Sequence, residues 1–243
     1  MPIATRPVRS GRICLSNRAV PRHPRTGTEI KLTGGGQRVF LEVKLKSFGP
    51  SVMETYQATL DSSGYSSSDK GMLAPANESC PSADATGQTA CQTAFGETGG
   101  FPSCVDVDPG AGTVFRCEPA WINSTRTDRI LRLNSPLYAP DLSSPDFRWG
   151  GTAFSGQQID DGSTYYGGSL VLDVPANAVG TFTIGFLQGD DISFMLDENS
   201  SLINPLLRTP ARITVLCVNN AQCADTNPER LPIFSPSSPG VPV

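Results

Sequence analysis

The chain contains one histidine, His23, and charged residues make up only 17% of it. A lone histidine among Arg22, Pro24 and Arg25 excludes a Ser-His-Asp triad unless this arm folds into the core. No Gly-x-Ser-x-Gly elbow, Gly-x-x-x-x-Gly-Lys-Ser/Thr loop or His-Glu-x-x-His pair occurs. No run of about 18 apolar residues exists, so no membrane-spanning helix is expected. The first thirty residues also lack the apolar stretch of a secretion signal. A signal is therefore expected upstream of this fragment, or the start codon is misplaced. There are no heptads and no internal repeat.

What is present is turn chemistry. Among 243 residues are 24 glycines and 21 prolines, a composition suited to many short strands. Phe147–Phe154, Ser169–Val174, Thr181–Leu187 and Arg212–Val218 alternate or cluster β-branched and aromatic residues between Gly, Pro, Asn and Asp punctuation. Arg38–Ser47 alternates: Val39, Leu41, Val43 and Leu45 share one face, and Phe40, Glu42, Lys44 and Lys46 share a face expected to be wet. Glu29–Leu32, Met53–Leu60, Thr113–Cys117 and Arg129–Leu133 complete about nine strands. A short helix or turn is expected around Ala85–Phe95. The period-two spacing places Val39, Leu41, Val43, Leu45, Leu170, Leu172, Phe182, Ile184, Phe186, Ile213 and Val215 inside. The fold class is all-β, an antiparallel two-sheet sandwich over residues 28–218.

Charge is unevenly spread. Residues 1–46 hold ten Lys and Arg against Glu29 and Glu42, whereas the remainder is acidic. The run Arg6–Arg25 has no aromatic interleaving and is broken by Pro7, Pro21 and Pro24. It reads as a basic disordered leader, residues 1–27, with no nucleic-acid role expected. Residues 219–243, rich in Pro and Ser, read as a linker tail or the start of a Cys-rich repeat.

Seven cysteines without Cys-x-x-Cys or a nearby histidine fit disulfides in an oxidising compartment better than a zinc or redox motif. Short loops pair Cys80 with Cys91, Cys104 with Cys117 and Cys217 with Cys223, leaving Cys14 over. The last two pairings are preferred. The location expected is extracellular or cell-surface.

Asp146-Phe-Arg-Trp-Gly-Gly-Thr-Ala-Phe154, Tyr165-Tyr-Gly-Gly-Ser-Leu-Val-Leu-Asp-Val-Pro175 and Gly180-Thr-Phe-Thr-Ile-Gly-Phe186 resemble the second half of cohesin-like modules of secreted planctomycete-type bacterial proteins. Gly34-Gly-Gly-Gln-Arg-Val-Phe-Leu-Glu-Val43 and Tyr56-Gln-Ala-Thr-Leu-Asp61 resemble the first half. The resemblance spans roughly Thr28–Val218. It implies a nine-stranded jelly roll of the cohesin and cellulose-binding-module superfamily that binds dockerins or contacts carbohydrate. Gly64–Pro119, with four cysteines, is a longer insertion than a plain cohesin needs, and no binding residues are transferred.

Aromatic and acidic residues supply the candidate functional groups. Trp121, Tyr138, Trp149, Tyr165 and Tyr166 offer flat faces for stacking on sugar rings, and Tyr165, Tyr166 and Trp121 are the candidate carbohydrate contacts. In a strand, Trp149 fits the core. Asp160/Asp161, Asp190/Asp191 and Asp197/Glu198 are the only paired carboxylates available to a glycosidase. Each sits beside Gly, Asn or Ser, where acidic residues form solvated turns. Asp106-Val-Asp108-Pro-Gly110 has the oxygen spacing calcium prefers but lacks the rest of an EF-hand loop, and an ordinary turn is expected. No cofactor or metal is expected. The reading is a non-catalytic adhesion or assembly module whose partner is a dockerin-like protein or a polysaccharide. The alternatives are a carbohydrate-active enzyme using a carboxylate pair, or a structural spacer.

Overall fold

Alternating apolar residues in Gln37–Ser47 need a second strand to satisfy their backbone and a second sheet to cover their side chains, and the chain supplies both. The computed structural model describes residues 11–17, 29–47, 51–66, 71–96, 102–108, 114–123, 125–129, 148–159, 164–188, 193–203 and 206–217. Among them are β1 (Gly11–Asn17), β2 (Glu29–Thr33), β3 (Gln37–Ser47), β4 (Ser51–Thr59) and β5 (Ala74–Pro75). The helix α1 (Ala85–Ala94) follows, then β6 (Cys104–Asp106), β7 (Phe115–Cys117) and β8 (Ala120–Trp121). The C-terminal part contributes β9 (Arg148–Ile159), β10 (Thr164–Val174), β11 (Gly180–Ile184), β12 (Phe194–Asp197), β13 (Leu206–Thr209) and β14 (Ala211–Leu216).

One sheet runs β13-β1-β3-β10, with β5 and β8 both pairing along the far edge of β10. The second layer joins β11-β14-β2 to β12-β4-β9 through an antiparallel bridge between Leu60 and Phe186. Among the described residues, every ladder is antiparallel except β1–β13 and β14–β2. The chain changes sheet across Pro210: β13 belongs to the first sheet and β14 to the second. All eleven residues expected inside are buried in a single cluster with Met53, Tyr56, Ala58, Leu60 and Met195. The two-sheet reading is therefore correct. Each Leu or Phe buried here contributes on the order of 1.5–3 kcal/mol.

Two expectations need correction, on the leader and on the outer face of β3, and a third lies mostly outside the described residues. The 1–27 leader contains β1, whose ladder with β3 sets Ile13 opposite Leu45 and Leu15 opposite Val43. Without β1, β3 would be an unpaired edge strand. Of Arg129–Leu133, only Arg129 is described; it forms a parallel bridge with Tyr166, and 130–133 lie outside the described residues. The outer face of β3 is not wet: Glu42 is buried, and Phe40 packs against a second small core. Residues 1–10, 18–28 and the 219–243 tail lie outside the described residues.

That second core is the insertion folded back on the sheet. Ala76, Cys91, Phe95, Cys104, Cys117 and Trp121 pack over Val171 of β10. The helix starts where Asp84, as N-cap, accepts from the backbone N–H groups of Thr86 (2.8 Å) and Gly87 (3.2 Å), satisfying orphan donors of the first turn. Gly87 seats that turn: a Cβ there would lie 1.7 Å from Ser82 O and 2.9 Å from Cys104 Cβ.

Two outcomes follow from this packing. Gly87→Ala lowers stability by about 1–3 kcal/mol, read as a lower urea midpoint with an unchanged slope; an unaltered midpoint contradicts the seating of α1. A chain begun at Thr28 loses the strand between β3 and β13, so its thermal midpoint falls and its tendency to aggregate rises. Equal midpoints would remove β1 from the folded unit.

Candidate functional site

Among the described residues, the outer face of the β3–β10 pair brings together a network of charged and polar side chains. A register shift between Tyr166 and Gly168 of β10 decides which ones. Beyond it, Leu170 and Leu172 face inward, opposite Leu41 and Val39. Before it the parity is reversed: Tyr165 lies opposite Leu45 and packs on the main core, while Tyr166 lies opposite Lys44 and joins the outer face. The extra residue of this bulge is Gly167. Its carbonyl accepts the Tyr56 hydroxyl, and a Cβ on it would come within 3.0–3.2 Å of Leu45 and Val43.

Around Tyr166 the charges are paired. The Arg126 fork donates to both oxygens of Asp128, at 2.7 Å each, and its remaining nitrogen donates to Glu42 at 2.8 Å. Lys44 Nζ sits 2.6 Å from the other Glu42 oxygen. The guanidinium also lies 4.6 Å from the centre of the Tyr166 ring, within cation–π range. The Arg126 fork holds the Asp128 carboxyl below its usual range, and burial pushes the Tyr166 hydroxyl up. That hydroxyl accepts from the Asn123 backbone N–H at 3.0 Å and lies 2.8 Å from Ser169 Oγ. Toward the other end of the ladder, Arg38 donates to Asp173 (2.7 Å) and to Glu78 of the insertion (2.6 Å), and lies over the Phe95 ring. Such bidentate, partly desolvated pairs fix geometry more than they add stability.

The expected aromatic platform is corrected by this arrangement. Trp121 is 0% and Tyr166 1% exposed, so neither ring presents a face to a ligand, and Tyr165 is half-buried against the core. Trp121 instead stacks on Phe95, centroids 5.7 Å apart. Tyr138 lies outside the described residues, as do Asp160, Asp161, Asp190 and Asp191. Of the acidic pairs, Asp197 and Glu198 are described: Glu198 is exposed in the turn, and Asp197 Oδ1 accepts from the Asn199 and Ser201 backbone N–H groups, closing the turn after β12. Asp106 likewise accepts from the N–H groups of Asp108 (3.0 Å) and Val114 (3.3 Å), an ordinary Asx turn.

The cysteines pair across the expected partners. The bonds are Cys80–Cys104 and Cys91–Cys117, which overturns Cys104–Cys117 and the 80/91 loop. Cys104 and Cys117 do face each other in the β6–β7 ladder. However, Cys91 on α1 lies over Cys117, and the Ser79–Arg116 bridge brings Cys80 beside the ladder. Two bonds from ladder to cap thus replace one within the ladder. Cys217 follows β14; Cys223 lies outside the described residues, and so does the expected bond to it. The residues missed in the sequence were Arg126, Asp128 and Glu118. The one available signal was the Arg126-Thr-Asp128 spacing, which matches a local fork.

The β2–β14–β11 face contrasts with the roofed one. Glu29, Lys31, Thr33, Thr183, Arg212 and Leu216 are exposed on it, with Thr181 and Thr214 facing each other between β11 and β14. The register places Glu29 opposite Arg212 and Lys31 opposite Thr214. This open polar face is the candidate binding surface.

No family model matches the chain, and no curated protein matches it in sequence. Solved structures similar to it include the third cohesin of ScaC from Acetivibrio cellulolyticus in complex with the ScaB dockerin. That pair has 7% identity, 85% of this chain and 99% of that one covered, and a TM-score of 0.42. A Clostridium thermocellum cohesin–dockerin complex, Coh-OlpA-Doc918, shares 11% identity over 85% of this chain and 99% of that one, TM-score 0.39. A non-cellulosomal cohesin from the archaeon Archaeoglobus fulgidus shares 7% over 88% and 97%, TM-score 0.40.

Glu118 generates a pH prediction in the disulfide-bonded protein. It is buried, and burial pushes its carboxyl up to about 7, with hydrogen bonds from Ser103 opposing the shift. Below about pH 4.5 the group is protonated in both folded and unfolded chains and costs nothing. As pH rises toward 7 only the unfolded chain ionises freely, so stability falls, by up to about 3 kcal/mol in total. Glu118→Gln removes this slope. Urea midpoints of parent and variant between pH 4.5 and 7.5 should diverge steadily; parallel curves would contradict the burial.

Proposed function

We propose that this chain is a non-catalytic binding module of an extracellular or cell-surface protein, its partner a dockerin-like protein or a polysaccharide. What carries the reading is the contrast between the two sheets. One is roofed by a disulfide-bonded cap that reaches the sheet through the Arg38–Glu78 pair, and the other leaves exposed polar side chains along β2–β14–β11. Strand scaffolds present such faces without paying for loop ordering on contact. The two disulfides favour an oxidising compartment. Among the described residues of the open face there is no aromatic ring, while Arg212, Lys31 and the exposed Leu216 suit a protein partner. The protein partner is therefore the preferred form of the reading.

The test is a pull-down of the module against dockerin-bearing proteins and against insoluble cellulose and chitin, beside a reducing-sugar assay. Thr183→Arg and Lys31→Glu alter exposed side chains and leave the thermal midpoint unchanged. Each is expected to weaken partner binding by about tenfold or more, the scale of a lost central contact. Binding unaffected by both places the site elsewhere. Sugar released by the module overturns the non-catalytic reading.

A further inference from the structure

The four cysteines of the cap converge from separate elements: Cys80 ahead of α1, Cys91 within α1, Cys104 on β6 and Cys117 on β7. The sulfurs of Cys80, Cys91 and Cys104 lie within 4.8 Å of one another. Cys117 Sγ is bonded to Cys91, and Cys117 also sits opposite Cys104 in the ladder. The backbone bonds Glu118 N–H to Ser103 O (2.8 Å) and Val107 N–H to Val114 O (2.9 Å) flank this pair. Alternation along an antiparallel ladder then makes Cys104/Cys117 a non-hydrogen-bonded pair, the kind whose side chains approach closest. A tetrahedral zinc with Zn–S bonds near 2.3 Å needs sulfurs about 3.8 Å apart, so small rotations suffice for Cys80, Cys91 and Cys104. Cys117, outside that group, joins them by turning its side chain once its bond to Cys91 is reduced. Three of the four cysteines are buried, which excludes competing water.

We propose that the reduced chain holds one zinc ion with Cys80, Cys91, Cys104 and Cys117, so that this cluster exists in two covalent states. A dithiol reductant converts one into the other. Two dithiol molecules each deliver two electrons and two protons, become cyclic disulfides, and leave four cysteine thiols. Zinc binding then displaces four protons to solvent and leaves four thiolates on the ion. Either state ties α1 to β6 and β7, so the cap stays formed before and after oxidation. Metal binding by these thiols is coupled to folding of the cap.

The test uses the full chain, reduced and metal-free under anaerobic conditions, titrated with Co2+ and then Zn2+. One equivalent of Co2+ is expected to produce the intense visible bands of tetrahedral thiolate cobalt, and one equivalent of Zn2+ to bleach them. The triple variant Cys14→Ser, Cys217→Ser, Cys223→Ser retains the full signal. Cys80→Ser and Cys91→Ser each weaken binding by about tenfold or more. Amide exchange across Ala85–Ala94 slows when zinc binds, which coordination by an unfolded chain would not produce. The proposal is overturned by an absence of thiolate bands, by bands that survive Cys80→Ser and Cys91→Ser unchanged, by bands that vanish in the triple variant, or by helix exchange indifferent to zinc.

Discussion

A strand pair covered on both faces leaves little solvent in which a charge can go unpaired, and β3–β10 is such a pair. Arg38, Asp173 and Lys44 on its outer face keep 28%, 38% and 20% of their side-chain exposure. One face lies against the sandwich core and the other beneath the insertion. Charged and hydroxyl groups on the roofed face are therefore under pressure to find partners there, although the buried Trp121 Nε1 and Arg129 Nη1 have none. Glu42 finds Arg126 and Lys44, Arg38 finds Asp173 and Glu78, and Tyr166 finds Asn123 and Ser169. The bulge at Gly167 is the device that makes this possible, because it moves Tyr166 onto the face where those charges sit without displacing Leu170 and Leu172 from the core. The insertion also covers the β10 edge with the short strands β5 and β8, and Pro75 is tolerated because β5 is itself an edge.

The cap is thus held by two different kinds of force. Its disulfides limit how far α1 can leave β6 and β7, and its aromatic stack and Arg38 fix the position of the helix over β3 and β10. Neither alone would suffice for a ten-residue helix with a weakly apolar face. Glu118 is the cost of this arrangement: it sits beside Cys117 with its carboxyl buried, and its protonation is where pH enters the fold.

The main sandwich was legible because period two is a local signal. Val39 through Leu45 and Leu170 through Leu172 declare their inward face within a few residues, and the helix Ala85–Ala94 lies where a short helix or turn is expected. What was not legible depended on contacts distant in sequence. The β1 strand looked like leader because Arg12-Ile-Cys-Leu-Ser sits among prolines and arginines, and only the open edge of β3 gives it a role. The outer face of β3 looked wet because Glu42, Lys44 and Lys46 are charged, and nothing local announces Arg126 some eighty residues away. The cysteine pairing failed for the same reason: loop length favours neighbours, whereas α1 lying on the β6–β7 ladder favours crossed partners. Tyr166 and Trp121 have the composition of a ligand platform, yet burial assigns them to structure.

The two parallel ladders, β1–β13 and β2–β14, set how the module would carry tension. Both join the first-entered strands to the last, and in each the two strands run the same way. A pull on Gly11 and an opposing pull on Leu216 would therefore drag these strands along one another. Their hydrogen bonds, lying across the strand direction, would all be loaded together in shear and would not open one at a time from an end. A tether built from such a unit resists force in the direction its own chain path defines.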